Sequence, residues 1–290
     1  MWICNDWNDY KVLDLSSGEK LEDWNGYKLV RPDPQVIWNR REFPDLWKSF
    51  HGRYHRSNKG GGNWEFVKKV PDRWYVSFEP LGLKFNIKPM GFKHTGLFPE
   101  QATNWQWFSK LIQEAERPIN VLNLFAYTGG ATAAAAAAGA SVAHIDSSKG
   151  MVTWAKENLT SSGLADCPVR YIVDDVIKFV EREIRRGKKY DAIIMDPPSY
   201  GRGPNGEVWK IEEELYSLVE KCMQVLSDEP LFFLINSYTT GLAPSVLSNL
   251  LKMTVVKKYG GHAEADEVGL PIENSNLVLP CGASGRWENK

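Results

Sequence analysis

A chain of 290 residues, 43% hydrophobic and 24% charged, has the make-up of a globular protein, which excludes a fibre or a disordered tail. Its length allows two domains, or one α/β domain with a large extension. The net charge of −1 hides an uneven distribution: residues 31–95 carry 13 basic against 6 acidic side chains, residues 1–30 carry 3 against 6, and residues 96–290 carry 19 against 24.

The chain starts Met1-Trp2-Ile3-Cys4 and runs at once into Asn5, Asp6 and Asn8, unlike a signal peptide, and no stretch approaches the roughly 20 apolar residues that span a bilayer. A soluble cytoplasmic protein with no membrane partner is expected. Cys4, Cys167, Cys222 and Cys281 are scattered without Cys-x-x-Cys spacing, the pattern of reduced thiols rather than of disulfides or zinc. His51 and His55 have i, i+4 spacing but no acidic or thiolate partner in pattern, so no metal is expected. Nine of the 12 tryptophans precede Lys110, in short strand-like runs broken by Pro and Gly. Trp74–Phe78 and Leu83–Ile87, joined by Glu79-Pro80-Leu81-Gly82, predict a hairpin. Ser57–Asn63 reads as a mobile loop. From Glu100 to Glu116 the period is helical, with Trp105, Phe108, Leu111 and Ile112 on one face, and Pro118 stops it.

Beyond Pro118, buried strands alternate with helices: 119–124, 131–138, 141–145, 150–159, 169–173, 176–185, 191–195, 211–226 and 231–235. Such alternation predicts a parallel sheet with helices on both faces and a ligand site just past the strand C-termini. Thr254–Tyr259 and Asn276–Leu279 read as a terminal antiparallel pair. The expected architecture is α/β: a Rossmann-like, doubly wound, mostly parallel seven-stranded sheet with a terminal antiparallel hairpin. A small β-rich domain over residues 1–99 precedes a ligand-binding domain over 100–290.

The residues after the strands carry the chemistry. Val121–Leu124 leads into Phe125-Ala-Tyr-Thr-Gly-Gly130 and an alanine-rich helix; the glycines would admit a ligand close to the backbone, and the alanines let the helix lie tight on the sheet. Neither the Gly-x-Gly-x-x-Gly of a nicotinamide loop nor a Walker loop is present. Asp146 ends the next strand, placed to accept both hydroxyls of a ribose or to cap the following helix. Asp174-Asp175 ends the third, where an adenine edge would sit, and one of the pair has the option of capping the helix from Val176. Asp196-Pro-Pro-Ser-Tyr200 ends the fourth. Its two prolines lack N–H donors and leave a rigid row of carbonyl acceptors beside a carboxylate and an aromatic ring, suited to a planar nitrogenous base.

Together these stretches, with Ser147-Ser-Lys149-Gly-Met151, Trp154-Ala-Lys-Glu-Asn158 and the upstream Thr95-Gly-Leu-Phe98-Pro-Glu-Gln101, resemble the class I S-adenosylmethionine-dependent methyltransferases. Among these the likeness is to the bacterial large-subunit (23S) ribosomal RNA methyltransferases, and it covers about residues 85–240. The resemblance implies S-adenosylmethionine as cofactor. It implies that Asn123, Phe125, Tyr127, Thr128, Gly129 and Gly130 cradle the methionine part, that Asp146 holds the ribose with Ser147 and Lys149 nearby, and that Asp175, beside Asp174, reads the adenine. Phe98 and Gln101 would close over the cofactor, Asp196 and the Pro197 carbonyl would face the methyl acceptor, and Tyr200 would stack or close the pocket.

Relatives that make 5-methylcytosine need a cysteine thiolate after the fifth strand, because carbon 5 is otherwise not nucleophilic. Here that run is Ile235-Asn-Ser-Tyr-Thr-Thr240, without cysteine. A base nitrogen of ribosomal RNA is therefore the expected acceptor; the alternatives are a protein or small-molecule methyltransferase, or an RNA-binding protein with a vestigial cofactor site. Trp47–Arg56, basic and aromatic, suits RNA, with cations for phosphates and rings for unpaired bases. The same stretch equally fits a solvated charged face over aromatic core. Lys93 and His94 are placed to line an acceptor pocket.

Overall fold

The computed structural model describes residues 1–57, 61–202 and 208–289. Its contacts divide the chain into two compact units, Ile3–Thr103 with Gly269–Cys281, and Met1–Trp2 with Asn104–Val268 and Gly282–Lys290. A single cut after residue 99 misses the return of 269–281, because the last hairpin of the chain belongs partly to each unit.

After the short β1 (Trp2–Ile3), the first unit builds a sheet from β2 (Tyr10–Ser16), β3 (Glu19–Trp24), β4 (Tyr27–Pro32), β5 (Gly52–Arg56) and β6 (Gly62–Phe66) in that spatial order. Ser17-Gly18 and Asn25-Gly26 make its two tight turns, all four residues left-handed at φ 55°, 77°, 53° and 87°, the geometry that two-residue hairpins require. Leu13, Leu21, Val30 and Trp47 form a core cluster. The buried Asp14 carboxylate fixes the segment above it, accepting from Trp47 Nε1 at 2.7 Å and from Phe43 N at 3.0 Å. Strands β7 (Trp74–Phe78) and β8 (Leu83–Ile87) pair antiparallel as a separate hairpin, turned by Gly82 at φ 64°. Residues 58–60 of the loop expected at Ser57–Asn63 lie outside the described residues.

The second unit holds α1 (Ala102–Glu114), β9 (Asn120–Leu124), α2 (Gly130–Ala137), β10 (Ser141–Asp146), α3 (Lys149–Ser161), β11 (Val169–Val173), α4 (Val176–Arg185) and β12 (Ala192–Met195). Then follow a small pair, β13 (Tyr200–Arg202) with β14 (Val208–Lys210), and α5 (Ile211–Met223), β15 (Phe232–Ser237), α6 (Pro244–Leu251), the three-residue α7 (Lys257–Tyr259), β16 (His262–Pro271) and β17 (Val278–Glu288). The large sheet runs β1-β16-β17-β15-β12-β9-β10-β11. Its pairs from β15 to β11 are parallel, and β17 lies antiparallel on β15. It thus has eight strands, the expected seven plus β1. Leu122, Leu124, Ile145, Ile193, Met195, Phe233 and Ile235 bury one face of the sheet against Phe179, Val180, Leu215, Leu218 and Val219, each fully buried side chain contributing roughly 1.5–3 kcal/mol. Among the described residues no helix is long and apolar enough to cross a membrane.

Thr254–Tyr259 is not a strand. The helix begun at Pro244 continues through it as a π turn over Lys252–Val256 and then α7, and Gly260 at φ 74° ends it. The β-branched run Thr254-Val255-Val256 favours a strand locally, but Thr254 and Val255 are buried from the helix and Thr254 Oγ1 donates back to Leu250 O at 2.7 Å. The partner of β17 in the terminal hairpin is instead β16, the segment from His262, whose Gly and Pro read as a loop.

Candidate active site

Parallel register sets the ends of four strands level. Leu124 stands beside Ile145 and Met195, and Asp146 beside Val173. Phe125, Asp146, Asp174 and Asp196 therefore emerge together along one edge, as the alternation of strands and helices requires.

The loop after β9 has an unusual backbone. Phe125, Tyr127 and Gly129 are left-handed, at φ 55°, 51° and 82°, and for the two non-glycine residues this costs roughly 1–3 kcal/mol each. The surroundings hold it: Ala126 N donates to Ile145 O at 3.0 Å, Tyr127 N to Asp146 Oδ2 at 2.9 Å, and Asn158 Nδ2 to Thr128 O at 2.8 Å. Both glycines also let neighbouring helices pack close. A Cβ on Gly129 would lie 2.8 Å from Ala155 Cβ of α3, and one on Gly130 would lie 2.6 Å from Trp105 of α1. Asn123 lies below the loop, 2% exposed, and donates to Thr132 Oγ1 at 2.9 Å; that hydroxyl stands 2.8 Å from His144 Nδ1. Its side chain therefore braces the strand-to-helix turn from inside. Burial holds His144 down at about pKa 4, so the ring is neutral at physiological pH.

Asp146 is half-buried. Oδ1 accepts from Ser148 N at 2.8 Å and Oδ2 from Tyr127 N at 2.9 Å, which leaves one lone pair on each oxygen for a pair of neighbouring hydroxyls. Burial raises its pKa above 3.8, against the two backbone donors that lower it. Ser148, not Asp146, caps α3, accepting from Met151 N at 3.4 Å. Ser147 and Lys149 are exposed on either side of this cap.

The two following carboxylates divide their work. Asp174 is tied up: Oδ2 accepts from Arg182 and Oδ1 from Asp175 N. Asp175 caps α4 with Oδ1, 2.9 Å from Lys178 N, while Oδ2 is open among the described residues. Of the pair, Asp175 is the one with an acceptor to offer.

Asp196 is half-buried, and its N–H donates to Leu124 O at 3.3 Å. The expected row of acceptors after it is only partly available. Pro198 O accepts from Trp209 Nε1 at 2.6 Å and Ser199 O from Ile211 N at 3.1 Å, while Pro197 O makes no hydrogen bond among the described residues. Thr239 Oγ1, just past β15, donates to Ser199 Oγ at 2.7 Å. Tyr200 is 51% exposed on β13. Trp209, absent from the sequence-based set, links two loops, since its ring also lies 5.6 Å from that of Phe125. A lone tryptophan just before the helix at Ile211 was its only signal. Asn158 lay inside a quoted motif, yet its role depends on Thr128 being near, which spacing alone does not reveal.

Phe98 and Gln101 belong to the other unit. There Gln101 is buried in the turn Pro99–Gln101, and the Phe98 ring lies 5.4 Å from that of His94. Burial pushes the Cys222 thiol of α5 well up. His51 Nδ1 accepts from Lys28 N and His55 pairs with Glu65, so the two histidines serve different partners.

The family model for S-adenosylmethionine-dependent methyltransferases matches residues 53–221. The chain belongs to this family. A SAM-dependent methyltransferase from Agrobacterium tumefaciens, known by crystal structure, is 35% identical with a TM-score of 0.94, over 100% of this chain and 93% of that one. Similar too are the ribosomal RNA large subunit methyltransferase K/L of Shewanella frigidimarina, 33% identical over 59% of this chain, and methyltransferase K of Neisseria meningitidis serogroup B, 24% identical over 69%. The chain spans 24% of the length of the first and 55% of the second. The methyltransferase site fits its cofactor on its own geometry: Asp146 keeps two acceptors for a ribose diol, Asp175 one for an adenine amino group, and the left-handed loop lies between them and Asp196.

Proposed function

We infer that the chain transfers the methyl group of S-adenosylmethionine to a ring or exocyclic nitrogen of a base in ribosomal RNA. When bound, the cofactor supplies an electrophilic methyl on a sulfonium. Asp146 holds the ribose diol, Asp175 accepts from the adenine, and Asp196 with Pro197 O orients the acceptor. The acceptor nitrogen would take that methyl, and Asp196, or solvent beside it, would receive the proton the nitrogen loses. Positioning supplies most of the acceleration, and Asp196 balances the positive charge that develops on the acceptor.

The observation that carries this reading is the loop after β12. It offers a carboxylate and an open carbonyl, the pattern for an N–H acceptor, and the run Ile235-Asn-Ser-Tyr-Thr-Thr240 at the end of β15 contains no cysteine. The RNA half rests on the names of the relatives and on the basic segment 31–95. Incubation with radiolabelled cofactor and separate pools of ribosomal RNA, assembled subunits, protein and metabolites tests it. Label in an RNA fraction is expected, and label confined to protein or metabolites would overturn it.

A further inference from the structure

The β5–β6 hairpin sorts its side chains by face. Gly52, Tyr54 and Arg56 share one face with Gly62, Trp64 and Phe66, while Arg53, His55, Asn63 and Glu65 share the other. On the second face the charged groups have partners, Arg53 pairing with Glu19 at 3.3 Å and Glu65 with the His55 ring at 2.6 Å. On the first they are not: Arg56 is exposed and has no ion-pair partner among the described residues.

That first face is aromatic. The Tyr54 and Trp64 rings meet edge to face at 5.5 Å, and Trp64 and Phe66 lie parallel, 12° apart in plane with centroids 5.8 Å apart. Gly52 makes room for Phe66, since a Cβ there would lie 2.8 Å from that ring. The segment Met90–Lys93 crosses beside them, Met90 O accepting from Trp64 Nε1 at 2.8 Å and Gly91 O from Tyr54 Oη at 3.5 Å. It brings two more groups, Phe92, 61% exposed, and Lys93. Burial and then Lys20, Arg31 and Arg56 lower the Lys93 ammonium's pKa, with Asp33 opposing, so cations crowd this edge. Phe66 is 45% exposed. Open ring faces beside Arg56 and beside Lys93, whose Nζ donates to the Pro32 carbonyl at 3.4 Å and has no carboxylate partner among the described residues, complement a strand that alternates bases with phosphates; an apolar protein partner would leave the cations unmatched.

We propose that this face, Phe66 and Phe92 with Arg56 and Lys93, binds an unpaired stretch of RNA. It rests on the RNA-acceptor reading and names the surface that would hold that substrate. Bases stack on the two phenylalanine rings, and phosphates sit at the two cations.

The test is fluorescence anisotropy of a short labelled oligouridylate titrated with the full chain at several salt concentrations. Phe66→Ala is expected to weaken binding roughly tenfold with the salt slope unchanged, because stacking is sequence-tolerant and uncharged. Arg56→Ala is expected to flatten the slope by about one phosphate contact. Phe66→Leu, which keeps apolar cover over Gly52, is expected to lose affinity while melting as the wild type does, which separates stacking from folding. No binding by the wild type, Phe66 variants within twofold of it, or equal competition by duplex RNA or by polyglutamate would each overturn the proposal, the last favouring a protein partner. Transfer of label is scored separately. Oligouridylate held by this face with no RNA labelled would sink the acceptor reading alone, whereas RNA labelled equally by Phe66→Ala and wild type, with unchanged binding, would sink this surface alone.

Discussion

Asp146 commits one lone pair of Oδ2 to the loop after β9 and one of Oδ1 to the start of α3, and each oxygen has another left over. Its raised pKa means that the charged form is disfavoured by burial. The sign follows: the carboxylate costs stability at neutral pH, and that cost is relieved as the pH falls through its folded value. Cofactor affinity moves the opposite way, because protonation removes an acceptor. In calorimetry across pH, affinity is expected to start falling at a higher pH than an ordinary aspartate near 3.8 would impose. Affinity constant down to that value would contradict the role. In the proposed arrangement Asp196 faces the acceptor rather than the ribose, so Asp196→Ala is expected to leave cofactor affinity within about threefold while methyl transfer falls by at least about a hundredfold; single-turnover label transfer checks it.

At the scale of elements, the close approach of α3 to the loop depends on Gly129. Gly129→Ala adds a left-handed alanine, roughly 1–2 kcal/mol, and a contact with Ala155 that costs roughly 1–3 kcal/mol. Denaturant unfolding is expected to show about 2–5 kcal/mol lost. In the β-rich unit, β2, β3 and β4 are tied by a buried cluster in which Glu22 accepts from Arg31 Nε at 2.6 Å, Arg31 Nη2 at 2.7 Å and Tyr10 Oη at 2.8 Å. Burial raises the Glu22 pKa, but Arg31, Lys20 and Tyr10 outweigh it and hold it at about 2. The stability this pair contributes is present above the ordinary value of 4.5 and lost as the pH falls toward about 2. Glu22→Gln leaves Arg31 buried without its counter-charge and is expected to cost about 3–5 kcal/mol by urea unfolding at neutral pH.

Elements also decide what was legible in the sequence. Strands with one continuous apolar run, such as β12 and the first four residues of β15, and helices with one apolar face, such as α1, could be read because burial imposes their period. The segment 254–259 could not, since its β-branched residues point to a strand while the helix behind it and the core beneath decide otherwise. The same limit applies at the site. Asp146, Asp175 and the loop after β12 were visible because their place after a strand carries the meaning. That Gly129 and Gly130 face Ala155 and Trp105 depends on where α3 and α1 pack, and that Asp174 is held by Arg182 depends on how α4 leaves the end of β11.

At the scale of the whole molecule, charge and chemistry are segregated. The parallel sheet carries the acceptor groups of the cofactor site, and the β-rich unit carries the basic, aromatic segment. The cofactor geometry stands on the first, the family match and the RNA proposals on both. The most direct test of the central claim is calorimetric titration of S-adenosylmethionine into the wild-type chain and into Asp146→Ala, each checked by thermal melting. Two hydroxyl donors to a carboxylate contribute roughly 1.5–3 kcal/mol each, so the variant is expected to bind at least about a hundredfold more weakly than a wild type that binds one equivalent. A folded Asp146→Ala chain that binds as tightly as the wild type would contradict the account.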